Sequence, residues 1–213
     1  MSDKSEEYRG EKIVVRFDGS RCIHSRTCVL SLPGVFVANA EGPWIRPDNA
    51  AVETIAGVAH GCPSGAITYE RHDGGPAEAA SEINVIRVLE NGPLAVRAEL
   101  RIAGQPPMHR ATLCRCGASK SKPFCDGSHG VVGFQATGEP AAGAVEALEA
   151  RGGALEITPF PDGPLGVKGN LEICAGSGRP VARTRSTALC RCGASQNKPF
   201  CDGSHRAAGF RAP

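Results

Sequence analysis

The sequence lacks the features that would place the protein in a membrane or on a polyanion. No stretch approaches the roughly 20 apolar residues of a membrane-spanning helix, and the charged start, residues 1–7, lacks the apolar core of a secretion signal. The 24 basic and 22 acidic residues nearly cancel and form no run of like charge. We therefore expect a cytoplasmic protein that binds neither nucleic acid nor membrane.

The sequence also lacks the common signatures of stand-alone enzymes. It contains no Gly-x-Gly-x-x-Gly motif, no phosphate-binding loop and no nucleophile elbow. The cysteines that such a chain could use for catalysis are better explained as metal ligands by their spacing, as described below. We therefore predict that the protein is not an enzyme.

Cysteine, in contrast, is abundant, with ten residues in a chain of 213. In a reducing compartment this many cysteines indicate metal binding or catalysis rather than disulfide bonds. Aromatic residues make up only 5% of the chain, and small modules with little core usually need a metal, a disulfide or a partner for stability. Bound metal clusters would meet that need.

The chain contains an internal repeat. The segment Gly92–Arg97 recurs as Gly163–Lys168, and in both copies apolar and other residues alternate after a Gly-Pro turn, which predicts half-buried β-strands. Each copy then reaches the sequence CRCGASxxKPFCDGSH, at Cys114–His129 and again at Cys190–His205. The repeat unit is thus predicted to be strands followed by a cysteine-rich loop.

Composition and turn residues divide the chain into three parts. Residues 1–75 form a first module that ends in a Gly- and Pro-containing linker, and the two repeats occupy residues 80–137 and 150–213. The Ala-rich segment between the repeats, residues 141–150, predicts a short helix. The expected fold class is α+β and rich in β-structure.

Each repeat offers four metal ligands. They are Cys114, Cys116, Cys125 and His129 in the first repeat, and Cys190, Cys192, Cys201 and His205 in the second. Four terminal ligands, two per iron, are what a [2Fe–2S] cluster requires. Nearness in sequence predicts that the Cys-x-Cys pair holds one iron, while the third cysteine and the histidine four residues later share a helical face and hold the other.

Structural zinc and metal-free buried thiols are the alternatives for these residues. A Cys3His set also binds zinc, but zinc sites favour two to four residues between paired cysteines, whereas one residue separates them here. The spacing, repeated twice, therefore favours the cluster.

Both segments resemble the CDGSH, or NEET, iron–sulfur signature C-x-C-x2-S-x3-P-x-C-D-G-S-H, and neither departs from it at a fixed position. The resemblance implies a Cys3His [2Fe–2S] cluster near the surface of a small β-rich fold, usually built by pairing two cluster-bearing units. A tandem chain can supply both units itself. We therefore expect a monomer that forms an intramolecular pseudo-dimer.

Two further positions of the motif, an arginine and a serine, have two interpretations each. Arg115 and its counterpart Arg191 either offset the negative charge of a cluster or are solvated loop residues. Ser119 and Ser195 either donate hydrogen bonds to sulfur, which would tune the reduction potential, or are likewise solvated.

The first module carries a second cysteine pattern. Cys22 and Cys28 are followed at a distance by Cys62-Pro63, and a distant Cys-Pro is the closing ligand pattern of bacterial-type ferredoxins. The module resembles a divergent group of single-cluster bacterial ferredoxins with C-x-H-x3-C, Leu-Pro-x-Val-Phe and C-P-S-G-A segments, all present here. Zinc and buried thiols are again the alternatives.

The module departs from the usual ferredoxin run at one position. The place of the middle cysteine of C-x2-C-x2-C is taken by Ser25. Three cysteines suffice for a [3Fe–4S] cluster, whereas a [4Fe–4S] cluster needs a fourth ligand, for which His24 is the nearest candidate.

Two functions are consistent with these predictions. The first is an electron carrier that exchanges single electrons with a redox partner protein. The second is a cluster donor to an apo iron–sulfur acceptor, or a redox or pH sensor, since a histidine ligand can be lost on protonation. The motif does not distinguish between them.

Overall fold

The computed structural model describes residues 5–143, 145 and 147–213, and the chain forms two compact units, residues 1–79 and 80–213. The fold is rich in β-structure with few helices, as predicted. None of the helices in the described residues is long and apolar enough to cross a membrane.

The first unit contains a three-stranded antiparallel sheet, with helix α2 packed against it and α1 packed against α2. Strand β2 is central, with β1 and β3 on either side. Its elements are β1 (Ser5–Arg9), β2 (Ile13–Asp18), α1 (Thr27–Ser31), α2 (Val52–Gly61) and β3 (Ile67–Arg71). Apolar side chains of β2 and α2, including Ile13, Val15 and Ile55, are buried together and form its core.

In its described residues the second unit contains six strands and one helical turn. They are β4 (Val85–Val88), β5 (Leu94–Ile102), β6 (Met108–Leu113), α3 (Ser128–Val131), β7 (Ala154–Pro159), β8 (Leu165–Cys174) and β9 (Pro180–Leu189). The predicted strands after the two Gly-Pro turns are the starts of β5 and β8. In β5, buried and more exposed residues alternate along the whole strand, as expected for a sheet with one buried face.

The two repeats exchange strands reciprocally. Strand β4 of the first repeat pairs antiparallel with β5 and parallel with β8 of the second repeat. Strand β7 of the second repeat pairs antiparallel with β8 and parallel with β5 of the first. Each repeat therefore completes the sheet of the other, and β6 and β9 lie outside β5 and β8.

The short helix predicted for residues 141–150 is wrong for its described residues, while Ala144 and Glu146 lie outside the described part. Gly143 donates its backbone N–H to the carbonyl of Val181 at 2.8 Å, and Val145 forms a bridge with Arg183. The segment extends along β9, because pairing with that strand satisfies its backbone and outweighs the helical propensity of alanine.

Candidate metal centres

The cysteine loop of the first repeat is closed against the end of β6. The Cys114 N–H donates to the carbonyl of Pro123, and the Cys125 N–H donates to the carbonyl of Thr112, both at 2.9 Å. These bonds bring the two ends of the motif together. The Sγ atoms of Cys114 and Cys116 lie 3.8 Å apart, and Cys125 Sγ lies 3.3 Å from Nδ1 of His129.

The second repeat builds the same arrangement. Its cysteine loop is closed by bonds from Cys190 N–H to Pro199 and from Cys201 N–H to Ala188. The Sγ atoms of Cys190 and Cys192 lie 3.6 Å apart, and Cys201 Sγ lies 3.5 Å from Nδ1 of His205. In both repeats the predicted ligands therefore form two pairs, as their spacing predicted.

The distances within each pair fit a shared tetrahedral metal. Two sulfurs about 2.3 Å from one tetrahedral metal lie about 3.8 Å apart, and a sulfur and an imidazole nitrogen lie about 3.5 Å apart. No three Cys, His, Asp or Glu side chains in the described residues are grouped to hold a single ion, neither in the repeats nor at Cys22, Cys28 and Cys62.

The motif's Asp-Gly step holds the second pair in place. Asp126 accepts hydrogen bonds from the backbone N–H groups of Lys120 and Ser128, at 2.8 and 3.0 Å. Burial raises the pKa of Asp126, but these hydrogen bonds outweigh burial and lower it to about 2. Gly127 has φ +85°, a left-handed conformation that glycine adopts without steric cost, so the chain turns sharply before His129.

Backbone N–H groups point at the sulfurs of this loop. The N–H of Ala118 lies 3.4 Å from Cys116 Sγ, and that of Gly127 lies 3.4 Å from Cys125 Sγ. The second repeat has the same contacts from Ala194 and Gly203. Hydrogen bonds to ligand sulfur stabilise its negative charge and raise the reduction potential of a bound cluster.

Burial and pairing shift the pKa values of the motif thiols. The hydrogen bond between Cys114 and Cys116 raises the pKa of Cys114 and lowers that of Cys116, so the pair readily gives up one proton and holds the other. Burial raises the pKa of Cys125 to about 11. Because thiolates are the metal ligands, metal binding here must release protons.

The motif serines do not donate to sulfur. Ser119 Oγ donates to the carbonyl of Phe124 at 2.6 Å, and Ser195 Oγ donates to that of Phe200 at 2.7 Å. A hydroxyl group has only one proton to donate. The interpretation of these serines as sulfur donors is therefore wrong, and so is their interpretation as solvated residues, since both are buried and tie the loop together.

The motif arginines are not solvated either. Arg115 and Arg191 are each 1% exposed. Arg115 donates to the carbonyls of Leu89 and Gly92, at 2.6 and 2.8 Å, and Arg191 makes the equivalent bonds to Phe160 and Gly163. Each guanidinium therefore joins the cysteine loop to the Gly-Pro turn of its own repeat.

The glycine that follows each Cys-Arg-Cys also shapes the site, although its role was not predicted from the sequence. A Cβ atom added to Gly117 would lie 2.5 Å from the carbonyl oxygen of Cys192, and one added to Gly193 would lie 2.7 Å from that of Cys116. The two cysteine loops therefore pack directly against each other. The recurrence of this glycine in both copies was the signal in the sequence.

The three cysteines of the first unit come from different elements. Cys22 follows a 3₁₀ turn, Cys28 lies in α1, and Cys62 ends α2. Burial raises the pKa of both Cys22 and Cys28. Both side chains pack against the core cluster that includes Cys62. The Cys62 thiol also contacts Ser64 Oγ at 3.6 Å.

His24, the candidate fourth ligand of this site, is exposed, and so is Ser25, which takes the place of the usual cysteine. His24 lies next to Ser25, and His24 has a left-handed φ of +54°. The Ser25 hydroxyl lies 3.3 Å from that of Thr27. Ligation by His24 remains a prediction.

Comparison with known proteins agrees with this geometry and defines an iron–sulfur protein. The family model "Iron-binding zinc finger CDGSH type" matches residues 91–130 and 162–206, and the model "Divergent 4Fe-4S mono-cluster" matches residues 8–72. Relatives called "Uncharacterized protein YjdI", from Escherichia coli strains K12 and O157:H7, are each 45% identical over 65 residues, which is 30% of this chain and 83% of the relative. The chain belongs to the CDGSH iron–sulfur family, with two tandem CDGSH motifs preceded by a divergent 4Fe–4S mono-cluster domain.

Proposed function

We propose that the protein is an electron carrier with two [2Fe–2S] clusters and one further cluster in its first unit. Each [2Fe–2S] cluster is held by the three cysteines and one histidine of a repeat, and the [3Fe–4S] or [4Fe–4S] cluster by Cys22, Cys28 and Cys62. Bound clusters of these kinds accept and release single electrons. The redox partner is a second protein.

The pairing of the ligands is the observation that carries this proposal. Within each pair the two donor atoms are spaced for one tetrahedral metal, yet among the described residues no three ligands of a repeat are grouped to hold a single ion. A mononuclear zinc site would bring all four donors within about 4 Å of one another. Two metals, each held by one pair, fit the arrangement better, which supports [2Fe–2S] over zinc.

The reciprocal strand exchange supports an intramolecular pseudo-dimer. Strand β4 joins β8, and β7 joins β5, by the same parallel pairing. The cysteine loops of the two repeats then meet through Gly117 and Gly193. Since one chain supplies both cluster-bearing units, we propose a monomer.

The carrier function is supported by how firmly the cysteine loops are held. Backbone bonds at Cys114 and Cys125, and the Asp126 bonds to the loop, fix the ligands before and after a change of charge. A site that is held in one geometry needs little reorganisation when an electron is gained or lost. The Ser119 and Asp126 side chains close the loop, and the cysteines and histidine are the proposed ligands, which agrees with a carrier rather than a stand-alone enzyme.

Cluster donation is the second candidate function, and one observation favours it. His129 and His205 are only partly buried, unlike Cys114 and Cys190, which are buried. An accessible imidazole can be protonated or displaced by an acceptor, which would open one iron of each cluster. The same property would allow the protein to sense redox state or pH.

Metal analysis tests the cluster assignment. Anaerobically purified protein is expected to contain about seven or eight irons per chain, with matching sulfide, by the usual ligand counts. A content of about four irons per chain would show that the first unit holds no cluster. Stoichiometric zinc without sulfide would overturn the whole proposal.

The cluster type of the first unit is tested by EPR of the oxidised, anaerobic protein. A three-iron signal is expected if three cysteines are the only ligands. If that signal is absent and His24→Ala loses the cluster, His24 is the fourth ligand of a [4Fe–4S] cluster.

A mixing experiment separates the two functions. The reduced protein is mixed with an oxidised ferredoxin-type acceptor, and separately with an apo-ferredoxin, while visible absorbance is recorded for both proteins after they are separated. A carrier is reoxidised and keeps its iron, whereas a donor loses iron to the apo-protein.

A further inference from the structure

The two turns that follow the motif histidines have the same backbone but different side chains. After His129, the N–H of Val132 donates to the carbonyl of Ser128 at 3.0 Å, and the N–H of Phe134 donates to the carbonyl of His129 at 2.9 Å. The second repeat makes the same two bonds at the equivalent positions, both at 3.0 Å. A difference in function between the two turns must therefore come from their side chains.

The turn after His129 carries an exposed apolar patch. Val131 is 90% exposed, which makes it the most exposed large apolar side chain of the described residues, and Val132 is 56% exposed. We call these two side chains the valine patch. His129 and Val131 lie in the same helical turn, α3, and the imidazole is half-buried. A protein that covered the valine patch would therefore lie against the outermost proposed ligand of the first cluster.

The equivalent turn of the second repeat carries other side chains. Arg206, Ala207 and Ala208 stand there, and all three are exposed. An alanine side chain offers less apolar area than a valine side chain. A partner that covered this turn would also have to remove water from the charge of Arg206, which costs free energy. The first repeat is therefore the better docking surface.

A cation that the second repeat lacks lies next to the valine patch. Lys120 is exposed, and its backbone N–H donates to Asp126, whose other carboxylate oxygen accepts from the N–H of Ser128 at the start of α3. Because Asp126 directs both oxygens at backbone N–H groups, the ammonium group of Lys120 is the charge that this edge presents to a partner. The equivalent residue of the second repeat is the neutral Gln196. The charge of the first repeat is thus complementary to an acidic protein.

We propose that the redox partner docks on the first repeat, over the valine patch and Lys120, and that this partner is an acidic one-electron carrier protein. This inference rests on the proposed electron-carrier function. Transient electron-transfer complexes bury less than about 1,200 Å² in total, and their apolar centre is surrounded by a polar rim, so a small patch is sufficient. The first [2Fe–2S] cluster then exchanges electrons with the partner, and the second exchanges them with the first.

The test uses a reduced plant-type [2Fe–2S] ferredoxin as the acidic carrier. Its low potential drives one electron to the oxidised chain, so the ferredoxin is oxidised and a histidine-ligated cluster is reduced. Val131→Ser/Val132→Ser removes the apolar contact and is expected to lower the second-order rate constant, measured by stopped-flow absorbance, about tenfold. Lys120→Gln is expected to lower the rate constant at low salt and to leave it unchanged at high salt, where the charge is screened.

The second repeat supplies the matched control. Ala207→Ser/Ala208→Ser makes the same kind of change on the same backbone turn and is expected to alter the rate constant by less than about twofold. Dithionite is a small reductant that needs no docking surface. It is expected to reduce the parent and all three variants at one rate, which shows that the substitutions leave the clusters intact.

The proposal is overturned if the valine variant reacts with the ferredoxin at the parent rate, or if the alanine variant is slowed as much. Slower reduction of the valine variant by dithionite would also overturn it, since the valines would then act on the cluster itself. The same holds if sedimentation shows a parent dimer that the valine variant dissociates, because a second copy of the chain would cover the patch. A parent that dithionite does not reduce would instead refute the proposed electron-carrier function.

Discussion

The contact between the two cysteine loops can be tested with a single methyl group. Gly117 has φ +82°, and a Cβ atom at this position would lie 2.5 Å from the carbonyl oxygen of Cys192 and 3.0 Å from its carbonyl carbon. These are backbone atoms of a loop that is closed by its own hydrogen bonds, so they cannot rotate away as a flexible side chain would. The substitution Gly117→Ala therefore combines backbone strain with a steric overlap.

The two effects have separable magnitudes. A residue other than glycine in the left-handed region costs roughly 1–2 kcal/mol. Extra atoms forced into a packed site typically cost about 1–3 kcal/mol more. Gly104 provides the control, since its φ of +77° is nearly the same but an added Cβ atom meets nothing within 4 Å. We expect Gly117→Ala to be less stable than Gly104→Ala by about 1–3 kcal/mol.

The assay is urea unfolding of the cluster-loaded chains, followed by far-UV circular dichroism for the fold and visible absorbance for the clusters. Gly104→Ala should lower the urea midpoint slightly and leave the visible absorbance of the clusters unchanged. Gly117→Ala should lower it further and, because the overlap pushes on Cys192, should weaken the cluster of the second repeat. Equal midpoints for the two variants would mean that the loops do not touch at this position.

Three further predictions follow from the site and the core. The double variant His129→Cys/His205→Cys should have lower potentials and bleach more slowly near pH ~5, because thiolate ligands carry extra negative charge; unchanged rates and potentials, measured by absorbance, would exclude the histidines as ligands. Burial raises the pKa of Glu172, but hydrogen bonds from Arg183 and Arg151 outweigh burial and leave the pKa below its usual value. This carboxylate therefore stabilises the fold at neutral pH and loses its contribution as pH falls through the lowered pKa, so Glu172→Gln should lower the thermal midpoint at neutral pH and match the parent in acid. Leu100 is fully buried in β5. Leu100→Ala should therefore lower the free energy of unfolding, measured in urea, by about 2–5 kcal/mol.

Local features of the structure were predictable from the sequence because they depend on short-range chemistry. Alternation after the Gly-Pro turns predicted the starts of β5 and β8. The spacing of the motif predicted that Cys114 pairs with Cys116 and that Cys125 lies near His129.

Features that depend on long-range packing were not predictable. The parallel pairing of β4 with β8 joins residues from different repeats, and nothing in the local alternation of either strand indicates it. Arg115 is charged and lies in a loop, so composition places it in solvent, whereas the structure buries it against the carbonyls of a turn. The helix expected for residues 141–150 was wrong for the same reason, since a free edge of β9 competes for that backbone.

The strand exchange explains why the two repeats occur in one chain. If β4 were removed, β8 would lose its parallel partner in the other repeat, and if β7 were removed, β5 would lose its own. The apolar residues of both repeats form one continuous core rather than two. A single repeat would expose apolar residues of that core, so the two repeats stabilise each other. Covalent linkage keeps the two repeats at a high effective concentration, which favours their pairing.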